Sequence, residues 1–131
     1  MQVLQMIEGY QGRCMCGAVR FTFSGQPRFV ADCVCQSCRH AHGASAVGWV
    51  GVQTPRFKIT RGETKVHWYA SSDTAERGFC MECGTRMFFR STNWAGETHM
   101  ALACMTEPHD LHSSGIGFKD EFPTWTALKP G

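Results

Sequence analysis

The chain has 131 residues, 43% of them hydrophobic and 18% charged, which fits one domain with a buried core of its own. Its formal charge is +2, its pI is about 8.2, and its 13 basic residues are scattered, so no basic stripe for nucleic acid is present. No segment approaches the roughly 18 apolar residues of a membrane span, so no membrane partner is expected.

Met1–Glu8 carries no basic n-region, long apolar stretch or small-residue cleavage site, and the reducing cytosol is the expected compartment. Val19, Phe21 and Phe23 alternate with Arg20 and Thr22, the period of a half-buried strand. Phe29-Val30-Ala31 follows Pro27, and a helical turn is expected over Ser37–His42 with Ser37 as its cap. Val47–Val52 is a longer apolar run. Phe57–Thr60, Val66–Tyr69, Met87–Phe89 and His99–Ala103 complete the set. Each run is short and rich in β-branched or aromatic residues, and turn residues separate them, so a mainly β single domain is predicted. The last twenty or so residues read as loop or extended chain. Trp49, Phe57 and Trp68 read as core.

Eight cysteines are the outlier. In a reducing compartment, clustered cysteines point to metal or redox chemistry rather than to disulfides. Cys80-Met81-Glu82-Cys83-Gly84 is a zinc knuckle: a tight turn aims two thiolates at one ion, and Gly relieves a position needing φ > 0. Structural zinc takes four ligands, and Cys14-Met15-Cys16-Gly17 offers the second pair, which would staple an early strand to a late one. Cys33, Cys35 and Cys38 form a separate local group with three ligands. Three ligands and an open position mark a reactive site, whereas His40 or His42 as a fourth ligand would make it a closed Cys₃His site; spacing leaves both open. Zinc with three or four thiolates is a poor Lewis acid toward water, but it suits an incoming thiol. Arg39 has the donors to bind a substrate carboxylate, although a surface ion pair is the simpler reading. Cys104 reads as a small core residue, and His67, His99, His109 and His112 as structural or solvated.

Three linked motifs carry a family resemblance: Gly12-Arg13-Cys14-Met15-Cys16-Gly17-Ala18-Val19-Arg20-Phe21, then Cys33-Val34-Cys35-Gln36-Ser37-Cys38-Arg39, then Phe79-Cys80-Met81-Glu82-Cys83-Gly84-Thr85. In this order they resemble the glutathione-dependent formaldehyde-activating enzyme family, whose domain also occurs in centromere protein V. The resemblance implies an Mss4-like β fold stapled by zinc over residues 1–131, with its core at about 10–112. It implies two zinc ions. Cys14, Cys16, Cys80 and Cys83 would hold the structural one, and Cys33, Cys35 and Cys38 the catalytic one. The implied activity is that of a carbon–sulfur lyase, condensing glutathione with formaldehyde to an S-hydroxymethyl adduct. Val34 stands where the family often has His, and Cys104-Met105-Thr106-Glu107 replaces its Leu-Asp, which bears on the substrate rather than on the metal. The competing classes are a zinc-stabilised binding module without turnover and a thiol redox or zinc-buffer protein.

Overall fold

The computed structural model describes residues 9–130, and among these are ten strands and one α-helix, seven of the strands built on the short runs named above. The reading of Met1–Glu8 lies outside the described residues. The strands are β1 (Tyr10–Arg13), β2 (Arg20–Phe23), β3 (Phe29–Cys33), β4 (Val47–Gln53), β5 (Phe57–Arg61), β6 (Val66–Ala70), β7 (Ala75–Cys80), β8 (Arg86–Ser91), β9 (Glu97–Ala101) and β10 (Ile116–Gly117). The helix α1 spans Gln36–His42. A three-stranded sheet runs β1-β2-β5, and a seven-stranded sheet runs β10-β3-β4-β9-β8-β7-β6. Every pairing is antiparallel except β10 on β3.

The main core lies between the two sheets. Phe21 and Phe23 from the small sheet meet Phe88, Met87 and Met100 from the large one, all at most 1% exposed. Phe21 packs edge-on to Phe88 at 4.9 Å, and Phe57 joins them at 5.2 Å. Aromatic burial of this kind contributes roughly 1.5–3 kcal/mol per side chain. The opposite face of the large sheet is also covered. Alternation along β4 sends Val50 and Val52 into the main core, while Val47 and Trp49 join a second cluster with Cys38 and Ala101. That second face positions the cleft described below.

All the runs expected to be strands form strands, with shifted ends: the last run ends at Ala101, and Leu102–Cys104 turns into a 3-10 helix. Three strands lack a sequence signal. β1 and β7 are polar and carry Gly12 and Gly78, and β10 pairs over only two residues in the segment expected to be loop. The helix starts one residue earlier than expected, because the cap is Cys35, not Ser37: its Sγ accepts the Cys38 N–H at 3.4 Å.

Candidate metal centres

Two turns of matching design build the first group. Cys14 directly follows β1 and Cys80 ends β7; each is followed by a chain reversal that returns a second cysteine, Cys16 or Cys83, to the same point. Gly17 (φ 77°) and Gly84 (φ 80°) take the left-handed conformation these reversals need, and their N–H groups donate to the Cys14 and Cys80 carbonyls. The Thr85 hydroxyl bridges the two turns, accepting from Met15 N at 3.0 Å and lying 3.1 Å from Cys83 Sγ. All four sulfurs lie within 4.8 Å of one another. Cys14–Cys16 is 3.6 Å and Cys16–Cys80 is 3.9 Å. Tetrahedral Zn–S bonds of about 2.3 Å place sulfurs about 3.8 Å apart, so the donor set fits zinc in both chemistry and spacing. Burial opposes charge at Cys83, yet the Thr85 hydroxyl and nearby backbone donors bring its thiol down to about 5.

The second group is local. Cys33 ends β3, Cys35 caps α1 and Cys38 lies in its first turn, and the three sulfurs lie within 4.8 Å of one another. The hydrogen bond shared with Cys33 brings the Cys38 thiol down to about 5, against burial, with help from the Arg77 charge and Trp49; the same pairing pushes Cys33 up. Arg77, on β7, is only 6% exposed, and its two terminal nitrogens lie 3.8 and 3.7 Å from Cys38 Sγ. A buried guanidinium needs an anionic partner, and among the described residues that partner is this sulfur. An anionic Cys38, free or as a metal ligand, is therefore built into the packing.

The second group opens onto a cleft of about 730 Å³. Trp49, Phe89 and Arg77 form its floor, and Trp94 and Phe118 stand at its mouth, 43% and 55% exposed. The segment after β10 supplies one wall: the Glu121 carboxylate accepts the Gln36 N–H at 3.0 Å, fastening that wall to the start of α1.

The structure brings together both cysteine sets expected from the sequence. It adds no histidine to the three-sulfur group among the described residues. His40 is exposed, and His42 packs edge-on to Trp49 at 5.2 Å and faces a separate concavity shared with Arg13 and Arg86. Arg39 makes no ion pair among the described residues: it donates to the Val34 carbonyl at 2.8 Å and to the Glu121 carbonyl at 3.3 Å. Cys104 is half-buried at the edge of the main core rather than inside it, and burial pushes its thiol up to about 11. The sequence did not single out Arg77, and His99, read there as structural or solvated, is buried and lines the cleft.

Comparison with known proteins agrees with this arrangement. A family model described as glutathione-dependent formaldehyde-activating enzyme matches residues 9–120. A Schizosaccharomyces pombe protein named as an uncharacterized lyase is 33% identical over 84 residues, 64% of this chain; the chain spans 59% of that relative's length. A crystal structure of a Rhodobacter sphaeroides protein superposes with a TM-score of 0.61 at 22% identity, covering 76% of this chain and 90% of that one, a likeness of fold. Two cysteine groups able to hold metal, on a mainly β frame and matched over nearly the whole described length, place the chain in the glutathione-dependent formaldehyde-activating enzyme family.

Proposed function

We propose that the protein is a zinc-dependent carbon–sulfur lyase that interconverts a small thiol such as glutathione, an aldehyde such as formaldehyde, and their S-hydroxymethyl adduct. The observation that carries this reading is the ligand number: three sulfurs line a cleft with no fourth protein ligand among the described residues, while the other four complete a set between two turns. Cys14, Cys16, Cys80 and Cys83 would hold one zinc ion and tie β1 to β7; Cys33, Cys35 and Cys38 would hold a second. When bound there, zinc supplies an open coordination position that keeps an incoming thiol ionised near neutral pH.

The chain's own residues supply the remaining functions. Arg77 stabilises negative charge on Cys38 Sγ and, stacked over Phe89 at 4.8 Å, keeps its guanidinium fixed. Trp49 and Phe89 exclude water beside the sulfurs and orient the adduct's carbon toward them. All eight cysteines are unpaired thiols, which suits a reaction run in the reducing cytosol.

Exchange NMR on glutathione and formaldehyde tests the reading. Zinc-loaded wild type should speed interconversion of free thiol and adduct above the buffer rate, and folded Cys38→Ser should not. A wild-type rate equal to that of buffer overturns the lyase reading.

A further inference from the structure

Register places five residues in one row across the large sheet. Phe29 on β3 pairs with Gly51 on β4, Gly51 with His99 on β9, His99 with Phe89 on β8, and Phe89 with Arg77 on β7. Directly opposed residues share a face, so the whole row looks into the cleft. Gly51 has no side chain, and the Phe29 ring fills that space: a Cβ at Gly51 would come within 2.1 Å of it. Phe29 therefore reaches His99 and meets it edge-on at 4.8 Å, while Phe89 and Trp94 close in at 5.6 and 5.4 Å.

His99 is 4% exposed, and its ring is held by one polar contact, Nε2 to Glu97 Oε1 at 3.0 Å. The other Glu97 oxygen faces Arg28 at 3.6 Å. A carboxylate accepts only, so Nε2 carries the proton and Nδ1 is left as an acceptor. Nδ1 has no protein hydrogen bond among the described residues, and the His99 side chain lines the cleft. A histidine buried only for packing would have both nitrogens satisfied.

We propose that His99 is the proton-transfer residue of this cleft, with Glu97 as the residue that positions its ring. The role rests on the lyase reading above. In adduct breakdown, Nδ1 takes the hydroxyl proton of the S-hydroxymethyl group. The O–H electron pair becomes the second C–O bond of the aldehyde, and the C–S pair leaves on sulfur as thiolate. In synthesis, a sulfur lone pair forms the C–S bond while the imidazolium returns its proton to the carbonyl oxygen. Burial lowers the basicity of the ring, with Glu97 and the Cys38 charge opposing, so the imidazole is neutral and able to accept at neutral pH. Those two groups, with Arg28 behind Glu97 and Arg77 beyond Phe89, are the charges around it; Gly51 on β4 adds none.

His99→Gln tests the role without emptying the site. The Gln amide nitrogen takes the place of imidazole Nε2 and keeps the bond to Glu97, while the Nδ1 acceptor disappears. The variant should fold, hold the wild-type amount of zinc and lose about a hundredfold in enzyme-accelerated thiol–adduct exchange. Glu97→Gln should lose less and move the acid limb of the pH–rate profile to lower pH, because removing the carboxylate makes the imidazole less basic. Imidazole nitrogen shifts of the zinc-loaded wild type give a readout apart from turnover and should show Nε2 protonated and Nδ1 bare. An accelerating wild type with His99→Gln at the same rate, or a proton on Nδ1, overturns this role. No acceleration by wild type overturns the lyase reading and His99's part in it together.

Discussion

The two cysteine groups draw on the same side-chain chemistry and end in opposite surroundings. Cys14, Cys16, Cys80 and Cys83 come from two distant turns that face one another, with Thr85 bridging them. Cys33, Cys35 and Cys38 come from one short stretch, and their neighbours are side chains of a sheet face rather than backbone. Thiolate number alone therefore does not assign a role. The decisive feature is whether the surroundings supply the last ligand. In the first group a second turn supplies it; in the second, the packing places Arg77 behind the sulfurs and leaves the cleft in front.

The comparison breaks most visibly on mutation. Structural zinc contributes apparent binding free energies of about 10–16 kcal/mol to folding, so Cys14→Ser or Cys80→Ser should give unfolded or insoluble protein. Cys38→Ser leaves the four-sulfur tie between β1 and β7 in place, loses only the Cys38–Arg77 contact across the sheet, and should give a folded protein without exchange activity. Circular dichroism and thermal melts check both, and equal loss of stability in the two classes would erase the distinction.

Chelator sharpens the same contrast. The open three-sulfur site should release zinc first and the four-sulfur site only as the protein unfolds. Zinc content followed with the melt should fall from two to one per chain with little change in stability, then from one to zero with loss of the fold. A single step with concurrent unfolding would contradict this.

A smaller effect is expected at Arg77. Arg77→Met keeps a stem over Phe89 and removes the charge facing Cys38. The variant should fold and weaken metal at the second site by about 10–100-fold, leaving the first site unchanged. Competition with a coloured chelator measures each affinity.

The smallest effect is a pH slope. Burial, with Arg77 and Arg86 adding, pulls the His42 pKa from 6.5 to about 4. Between those values the unfolded chain binds a proton that the folded one refuses, so His42's contribution to stability is complete above 6.5 and lost as pH falls toward 4. Urea midpoints measured at pH 7 and pH 5 should fall less for His42→Phe than for wild type. Equal falls would mean that burial does not hold the ring neutral.

Much of this was legible in the sequence, because the cues were local. Period-two runs such as Val19–Phe23 name strands, and Cys-x-Cys-Gly and Cys-x-x-Cys-Gly name turns that aim sulfur. β7 was not legible, because Ala75–Cys80 is polar along half its length and is buried only through its partners β6 and β8. Arg77 passed unnoticed, and His99 read as structural or solvated, for a related reason: each is ordinary in its own strand and gains its setting only through the register that lines up β7, β8, β9 and β4. The fourth-ligand question also stayed open in the sequence. It is the turn of α1 that carries His42 away from the sulfurs and onto Trp49.

Cadmium-113 NMR tests the division between the groups most directly. Protein loaded with cadmium in place of zinc should give two resonances, one for four sulfurs and one for three. Added glutathione should move only the three-sulfur signal, and Cys38→Ser should lack that signal while keeping the other. Two signals that both ignore the thiol, or that move together, would contradict an open site beside a closed one.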